Sequence, residues 1–174
     1  MDDHRERFEA LALPHIDAAY SLARWLSRSP DDADDVVQDA MLRAYRAFDG
    51  FRGENIRAWL LTIVRNCWRN RAADARRRGH EPLPAEDDRS LAFEGPDPEE
   101  EALRASDRRR LDRLIAELPE DFREVLILRE MQDMSYREIA DAIGAPIGTV
   151  MSRLARARGL LKDQWVAGGC DVLP

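Results

Sequence analysis

Between Pro30 and Pro82 this chain has no proline, and between Gly53 and Gly79 it has no glycine. Long stretches without either residue, with apolar side chains recurring at intervals of three and four and almost no alternation, admit helices and little else. A helix pair is predicted across Arg5 to Ser27, broken at Pro14, with Phe8, Leu11, Leu13, Ile16, Tyr20, Leu22, Ala23 and Leu26 as its core. Ser29-Pro30-Asp31-Asp32 supplies a cap and acids suited to a helix start, after which Ala33, Val36/Val37, Ala40/Met41, Ala44 and Phe48 recur at helical spacing as far as Asp49-Gly50. Past Phe51-Arg52-Gly53 a long helix is predicted from about Glu54. Ile56, Trp59/Leu60, Ile63/Val64 and Cys67 lie on its packing face, with Arg57, Arg65, Arg69 and Arg76 largely elsewhere. Glu99 to Leu118 and Asp121 to Met131 read as two helices split by Pro119, and Ser135 to Leu161 as two more split at Gly144. There is no internal repeat, and the fold class is all-α.

A length of 174 residues suits one medium domain or two small ones, and the charge pattern favours two. Residues 1 to 50 carry eleven acids against six arginines, whereas 52 to 78 carry eight arginines against Glu54 and Asp74. From Glu81 to Glu101 nine acids face Arg89 alone, and from Ser135 to Lys162 five bases face two acids. Two basic blocks are thus separated by an acidic stretch, so a net charge of -7 does not exclude nucleic acid. Gly79 to Pro98 is proline-bearing, acidic and poor in apolar residues, a composition that cannot offset the entropy of ordering. It is expected to be a flexible linker over 79–98 between helical domains at 1–78 and 99–174. No uncharged run is long enough to span a bilayer. The charged start and two distant cysteines, Cys67 and Cys170, point to a reduced, cytoplasmic setting. Only Lys162 among the 27 basic residues is lysine, a bias that a GC-rich genome explains as readily as phosphate binding.

Ser135-Tyr136-Arg137-Glu138-Ile139-Ala140-Asp141-Ala142-Ile143-Gly144, followed by Ala145-Pro146-Ile147-Gly148-Thr149-Val150, is the sharpest local signal. Ser135 and Glu138 form a capping box, Ile139 and Ile143 point inward, and Ala140 is small where a second helix must cross closely. Gly144 can adopt the left-handed conformation that ends the helix. The following helix would bury Val150, Leu154, Ala157 and Leu161 and leave Thr149, Met151, Ser152, Arg153, Arg156 and Arg158 outside. A short helix, a glycine turn and a cationic second helix make a helix-turn-helix able to enter a major groove. A plain hairpin with solvated arginines is the blander reading, but it leaves the coincidence of these four features unexplained.

In the Arg52 to Arg78 block, Phe51, Trp68, Asn66 and Asn70 interleave with arginines, so aromatic rings could stack unpaired bases while the cations follow phosphates. Trp59 falls on the Ile56/Ile63 stripe and is assigned to the core. Asp31, Asp32, Asp34, Asp35 and Asp39 need no metal, because a helix dipole stabilises acids at its start. Asp35, Asp39, Leu42 and Arg46 form a second face of that helix, suited to a protein partner. His4, His15 and His80 are scattered, Cys67 lies on an apolar stripe, and no phosphate loop or nucleophile elbow occurs. No catalytic residues, metal or cofactor are therefore assigned, and the chain is read as a non-enzyme.

Together the two halves resemble a bacterial sigma factor of the extracytoplasmic-function group, the minimal form with only the second and fourth conserved regions. Asp35 to Arg46, Phe51-Arg52-Gly53 and Trp59 to Asn66 are similar to region 2; Leu118 to Leu126, Ser135 to Ala140 and Gly148 to Leu154 are similar to region 4. The resemblance implies that Asp35, Gln38, Asp39 and Leu42 dock on the clamp helices of core RNA polymerase. It implies that Arg43, Ala47, Phe51, Leu61, Ile63 and Asn66 surround a base flipped from the minus-ten element, with Arg65, Arg69, Arg76, Arg77 and Arg78 on the backbone. Thr149, Ser152, Arg153 and Arg156 would contact the minus-thirty-five element. Met151 stands where many members carry a base, and Ala155 where a bulkier residue is common, which removes groups from upstream readout.

The function so implied is a subunit that binds core RNA polymerase and promoter DNA, selects start sites and helps melt the minus-ten element, with an anti-sigma factor as a further partner. A dimeric helix-turn-helix repressor or activator that reads duplex operators unaided would explain the second half but leave Phe51 to Arg78 idle. A helical adaptor that binds only proteins would make no use of Arg153 and Arg156. Cys67 and Cys170 are read as a buried thiol and a tail thiol.

Overall fold

The computed structural model describes residues 2–53, 55–79 and 98–167, and among them every regular element is helical. The order is α1 (Asp2–Ala12), a 3-10 turn (Leu13–His15), α2 (Ile16–Ser27), α3 (Pro30–Ala47), a second 3-10 turn (Phe48–Gly50), α4 (Ile56–Arg77), α5 (Pro98–Glu117), α6 (Glu120–Leu126), a π-helical turn (Ile127–Met131), α7 (Tyr136–Ile143) and α8 (Ile147–Ala167). The expected linker lies outside the described residues except at its two ends.

Helices α2, α3 and α4 pack on one another with α1 against them, and α5 and α6 pack with α7 and α8 in the second half. Local chemistry sets the boundaries. Arg28 ends α2 in the left-handed region at φ 63°, its N–H donating to the Arg24 carbonyl. Ser29 then caps α3, its Oγ accepting from the Asp32 N–H at 3.4 Å with Pro30 at the first helical position. Asn55 caps α4 through Oδ1, which accepts from Ala58 N–H at 3.1 Å. Thus α4 begins just after the position expected, and Glu54 itself lies outside the described residues.

The core of the first half differs from expectation. Phe8, Leu22, Ala23 and Leu26 are buried, whereas Leu11, Leu13, Ile16 and Tyr20 are exposed. The buried stripe runs through Phe8 and Ala12 on α1 and through Ala19, Leu22, Ala23 and Leu26 on α2, so small alanines take packing positions that apolar size alone assigned to their larger neighbours. Trp68 is the second correction. It is 6% exposed and belongs to the core rather than to a base-stacking surface, because Leu61, Val64 and Trp68 follow at spacings of three and four and form one helical stripe. Cys67 is buried as expected, and Trp59 packs partly buried against the core.

The two halves meet. Helix α4 faces α6 and α7, and α2 touches the π-helical turn. There, Gln132 N–H donates to Ile127 carbonyl across five residues, and Gln132 itself is buried. The predicted helix over Asp121–Met131 is therefore present as α6 followed by this wider turn.

Candidate nucleic-acid and polymerase interface

In the second half, the capping box is complete. Ser135 Oγ accepts from Glu138 N–H at 3.2 Å, and Glu138 Oε2 accepts from Ser135 N–H at 2.8 Å. Burial tends to raise the Glu138 carboxyl, but hydrogen bonds from the Ser135 backbone and side chain and from Asn55, with the nearby Arg57 charge, outweigh it and leave the group below its ordinary 4.5. Gly144 ends α7 at φ 65°, ψ 38°, and the Ala145 N–H closes on the Ala140 carbonyl at 3.0 Å. Nothing lies within 4 Å of a side chain built at Gly144, so the turn needs glycine for its backbone angle rather than for space. Helix α8 buries Val150, Leu154 and Ala157, and Leu161 packs partly buried beside them.

From its first turns α8 presents Met151, Ser152 and Arg156 to solvent, with Thr149 half-buried and the Ser152 hydroxyl donating to Thr149 carbonyl at 3.0 Å. Arg153 is turned back, donating to Asp121 Oδ2 of α6 at 2.8 Å. Met151, 53% exposed, is an apolar residue in the middle of this surface.

In the first half, α3 holds Asp35, Gln38 and Leu42 exposed and Asp39 half-buried on one face. Leu42 is 51% exposed, and Asp35 pairs with Arg71 at 2.7 Å. Arg43 and Ala47 are exposed nearby. Phe51 stacks on Phe48 with centroids 6.4 Å apart and meets Trp59 at 5.1 Å, at the end of an aromatic cluster that includes Phe8 and Tyr45. A side chain at Gly53 would stand 3.1 Å from the Phe51 ring, so this glycine permits the ring's position. On α4, Ile63 is half-buried and Asn66 exposed, whereas Leu61 is wholly buried and offers no face to a base in this arrangement.

The five arginines expected to meet the DNA backbone divide into two groups. Arg77 and Arg78 are exposed at the end of α4, with Arg77 bonded to Asp74. Arg65, Arg69 and Arg76 are engaged by α6. Arg65, 8% exposed, donates through Nε and Nη2 to both oxygens of fully buried Glu124 at 2.5 and 3.3 Å, and through Nη1 to the Ala142 carbonyl at 3.1 Å. Arg69 reaches Glu124 at 3.2 Å and Asp121 at 3.6 Å, and Arg76 reaches Glu120 at 2.5 Å.

Further bonds close the same seam. Arg57 donates to both the carbonyl and the side-chain oxygen of Gln132, and Asn55 Nδ2 donates to Glu138 Oε1 at 2.5 Å. Burial lowers the affinity of Arg123 for its proton and the Arg28 charge lowers it further, while Glu120 and Glu124 act in the opposite sense. The Nε atoms of Arg28 and Arg123 are both buried without a hydrogen-bond acceptor.

Sequence reasoning did not find the acids of this seam. One signal was available: Arg65, Arg69 and Arg76 are spaced by four and seven, and Glu120, Asp121 and Glu124 by one and three, so each set forms a single helical stripe of one charge.

Comparison with known proteins agrees with both halves. The family described as Sigma-70 region 2 matches residues 11–78, and Sigma-70 region 4 matches residues 108–161. The ECF RNA polymerase sigma-E factor of Haemophilus influenzae is 37% identical over 150 residues, covering 82% of this chain and 78% of the relative. The RNA polymerase sigma-H factor of Pseudomonas aeruginosa is 35% identical over 163 residues, covering 88% and 83%. Among solved structures, the sigma factor RpoE of Bartonella quintana, in complex with the anti-sigma factor NepR, superposes with a TM-score of 0.71 at 28% identity, covering 94% of this chain and 96% of that one. CnrH, in complex with the cytosolic domain of CnrY, gives a TM-score of 0.66 at 28% identity, covering 94% and 90%. A helical region 2 and a helix-turn-helix region 4 in this order, matched along most of their length by such relatives, place the chain in the extracytoplasmic-function group of RNA polymerase sigma factors, which direct transcription initiation.

Proposed function

We propose that this sigma factor divides promoter recognition between two modules, at 1–78 and 99–174 with 79–98 joining them, and carries out no catalysis of its own. The observation that carries the reading is the pairing of an exposed face on α3, built by Asp35, Gln38, Asp39 and Leu42, with the exposed first turns of α8. A leucine half out in solvent among acids and an amide is suited to a protein partner, here the clamp helices of core polymerase. Ser152 and Arg156, with Thr149 and an Arg153 freed from Asp121, suit the edges and phosphates of a minus-thirty-five major groove.

Minus-ten DNA falls to the face holding Arg43, Ala47, Phe51, Ile63 and Asn66, with Leu61 beneath it. A base is read on its pairing edge only after leaving the stack, and unstacking costs a few kcal/mol that a pocket must repay. The Phe51 ring, fixed by Phe48 and Trp59, is a surface that needs no further ordering before it meets such a base. Arg65, Arg69, Arg76, Arg77 and Arg78 hold the backbone.

The protein acts in the cytoplasm, and among the described residues no helix is long and apolar enough to cross a membrane. An anti-sigma factor that grips both modules is the inhibitory partner this reading implies. The experiment is in vitro transcription with purified core polymerase on genomic DNA. The expected result is a set of start sites absent without the protein and lost in the Leu42→Arg variant; identical starts with and without it overturn the reading. Duplex operator binding by the protein alone as tight as the holoenzyme's would favour an autonomous repressor instead.

A further inference from the structure

The outer side of α8 carries two neighbouring rows that differ in chemistry. Gly148, Ser152 and Arg156, each four residues from the next, form a polar row; Ile147, Met151 and Ala155, with the same spacing, form an apolar row beside it. Every residue of both rows is exposed, Ile147 at 44% and Met151 at 53%, while Val150, Leu154 and Ala157 take up the packing of the helix. A single apolar side chain in solvent needs no explanation. A row of them, continuous with the residues proposed above for the upstream element, does. The polar row leaves much of the reading undone, because the Ser152 hydroxyl donates to the Thr149 carbonyl at 3.0 Å and Arg156 is then its one free side-chain donor.

The bases present donors and acceptors in the major groove that a thioether and two aliphatic side chains cannot match, and one apolar group, the C5-methyl of thymine. We infer that the Ile147/Met151/Ala155 row is a reader of that methyl group: Met151 packs on one thymine of the minus-thirty-five element, with Ile147 and Ala155 on either side, while Ser152 and Arg156 meet neighbouring edges and phosphates. The inference rests on the assignment of α8 to the upstream element and adds the chemistry of the base it selects. From Ile147 to Arg156 every charged residue is an arginine, which suits a phosphate-bearing duplex rather than an apolar protein segment as the occupant. The unbranched thioether can follow the methyl by rotating its own bonds, without a shift of the helix.

The test crosses one methyl group with one side chain. Holoenzyme is formed with the full chain or with the Met151→Gln variant, whose side chain is also long, unbranched and compatible with a helix. Each is titrated by fluorescence anisotropy with a labelled duplex of a promoter taken from the mapped start sites. Thymines of its upstream element, on both strands, are replaced one at a time by deoxyuridine, which removes the methyl and keeps every hydrogen-bonding group. At one position the replacement should weaken binding by the unsubstituted holoenzyme about fourfold, the factor for one buried methyl group. The variant should bind the thymine and deoxyuridine duplexes equally. A second arm places cytosine or 5-methylcytosine at the same position: the added methyl should strengthen binding about fourfold for the unsubstituted holoenzyme and leave the variant unchanged. Effects of the methyl on the duplex itself are common to both proteins and cancel in the cycle.

The absence of any thymine whose methyl matters, or the same loss in both proteins, would overturn the inference. So would a Met151→Gln variant that lowers promoter binding by one factor on every duplex, since the row would then serve a different contact, such as a protein. The sigma reading is decided separately. If the chain directs initiation and Arg156→Ala weakens promoter binding but no methyl effect is found, only the methyl reader is wrong. If the chain directs no initiation, the division of roles fails first and the inference falls with it.

Discussion

The side chains of Asn55 and Glu138 join two helix starts through one bond. Asn55 caps α4 with Oδ1 while its amide donates to Glu138 Oε1 at 2.5 Å, and the other oxygen of Glu138 accepts from Ser135 N–H to cap α7. The beginning of α4 and that of the first helix of the helix-turn-helix are therefore braced against each other.

Replacement Glu138→Gln should lower stability by about 1 kcal/mol, read as a reduced urea midpoint, because the charge-assisted half of the capping box is lost. The pH dependence has a definite sign. The Glu138 carboxyl sits below 4.5 in the folded chain, so its contribution is complete above about that pH and disappears as pH falls through the depressed folded value. The variant's stability should consequently change less between neutral pH and pH 4 than that of the unsubstituted chain.

At the Arg65–Glu124 pair, removing one partner and removing both should have opposite consequences. Glu124→Ala leaves a buried guanidinium without its counter-ion and should destabilise the closed chain by about 3–5 kcal/mol; Arg65→Met/Glu124→Leu should be about neutral or stabilising. Chemical denaturation of the three proteins checks both. The double variant should also lose minus-ten binding, since the cation itself is gone.

Gly144→Ala should cost about 1–2 kcal/mol, because alanine must adopt φ 65°, while Gly144→Asn should be better tolerated. Thermal unfolding separates the two. The space around this glycine is open, so a steric clash cannot account for the difference.

Arg156→Ala should lower the salt slope of holoenzyme binding by about one unit on the logarithmic plot, as the loss of one phosphate contact requires. Filter binding of an upstream-element promoter across a salt series measures this. Arg153→Ala should act in addition on the free protein, since Arg153 also holds Asp121.

Burial pushes the Cys67 thiol above its ordinary range. In the folded chain it should react with thiol reagents far more slowly than in denaturant, and Cys67 labelling should follow unfolding.

Helix existence was legible because proline, glycine and capping residues mark local boundaries, and the helix-turn-helix was legible because its capping box and left-handed turn lie within ten residues. Trp68 was misjudged by reading its neighbours in sequence rather than around the helix, where it follows Leu61 and Val64. Leu11, Leu13, Ile16 and Tyr20 could not be placed from apolar size and spacing alone, since the small residues Ala12 and Ala19 beside them occupy the packing positions. The seam was hidden for a different reason: Arg65 and Glu124 are 59 positions apart, and a charged stripe on one helix does not say which opposite stripe it will meet.

The π-helical turn acts as a gauge block. Its added residue sets Gln132 where the amide reaches Arg57 on α4 and, at 3.5 Å, Ser21 on α2. Deleting a single position between Ile127 and Met131 would restore ordinary winding to that stretch, yet swing Gln132 off both partners and bring a carboxylate, Asp133, toward its place. A shortening that improves the helix by itself would thereby misalign the two ends of the molecule.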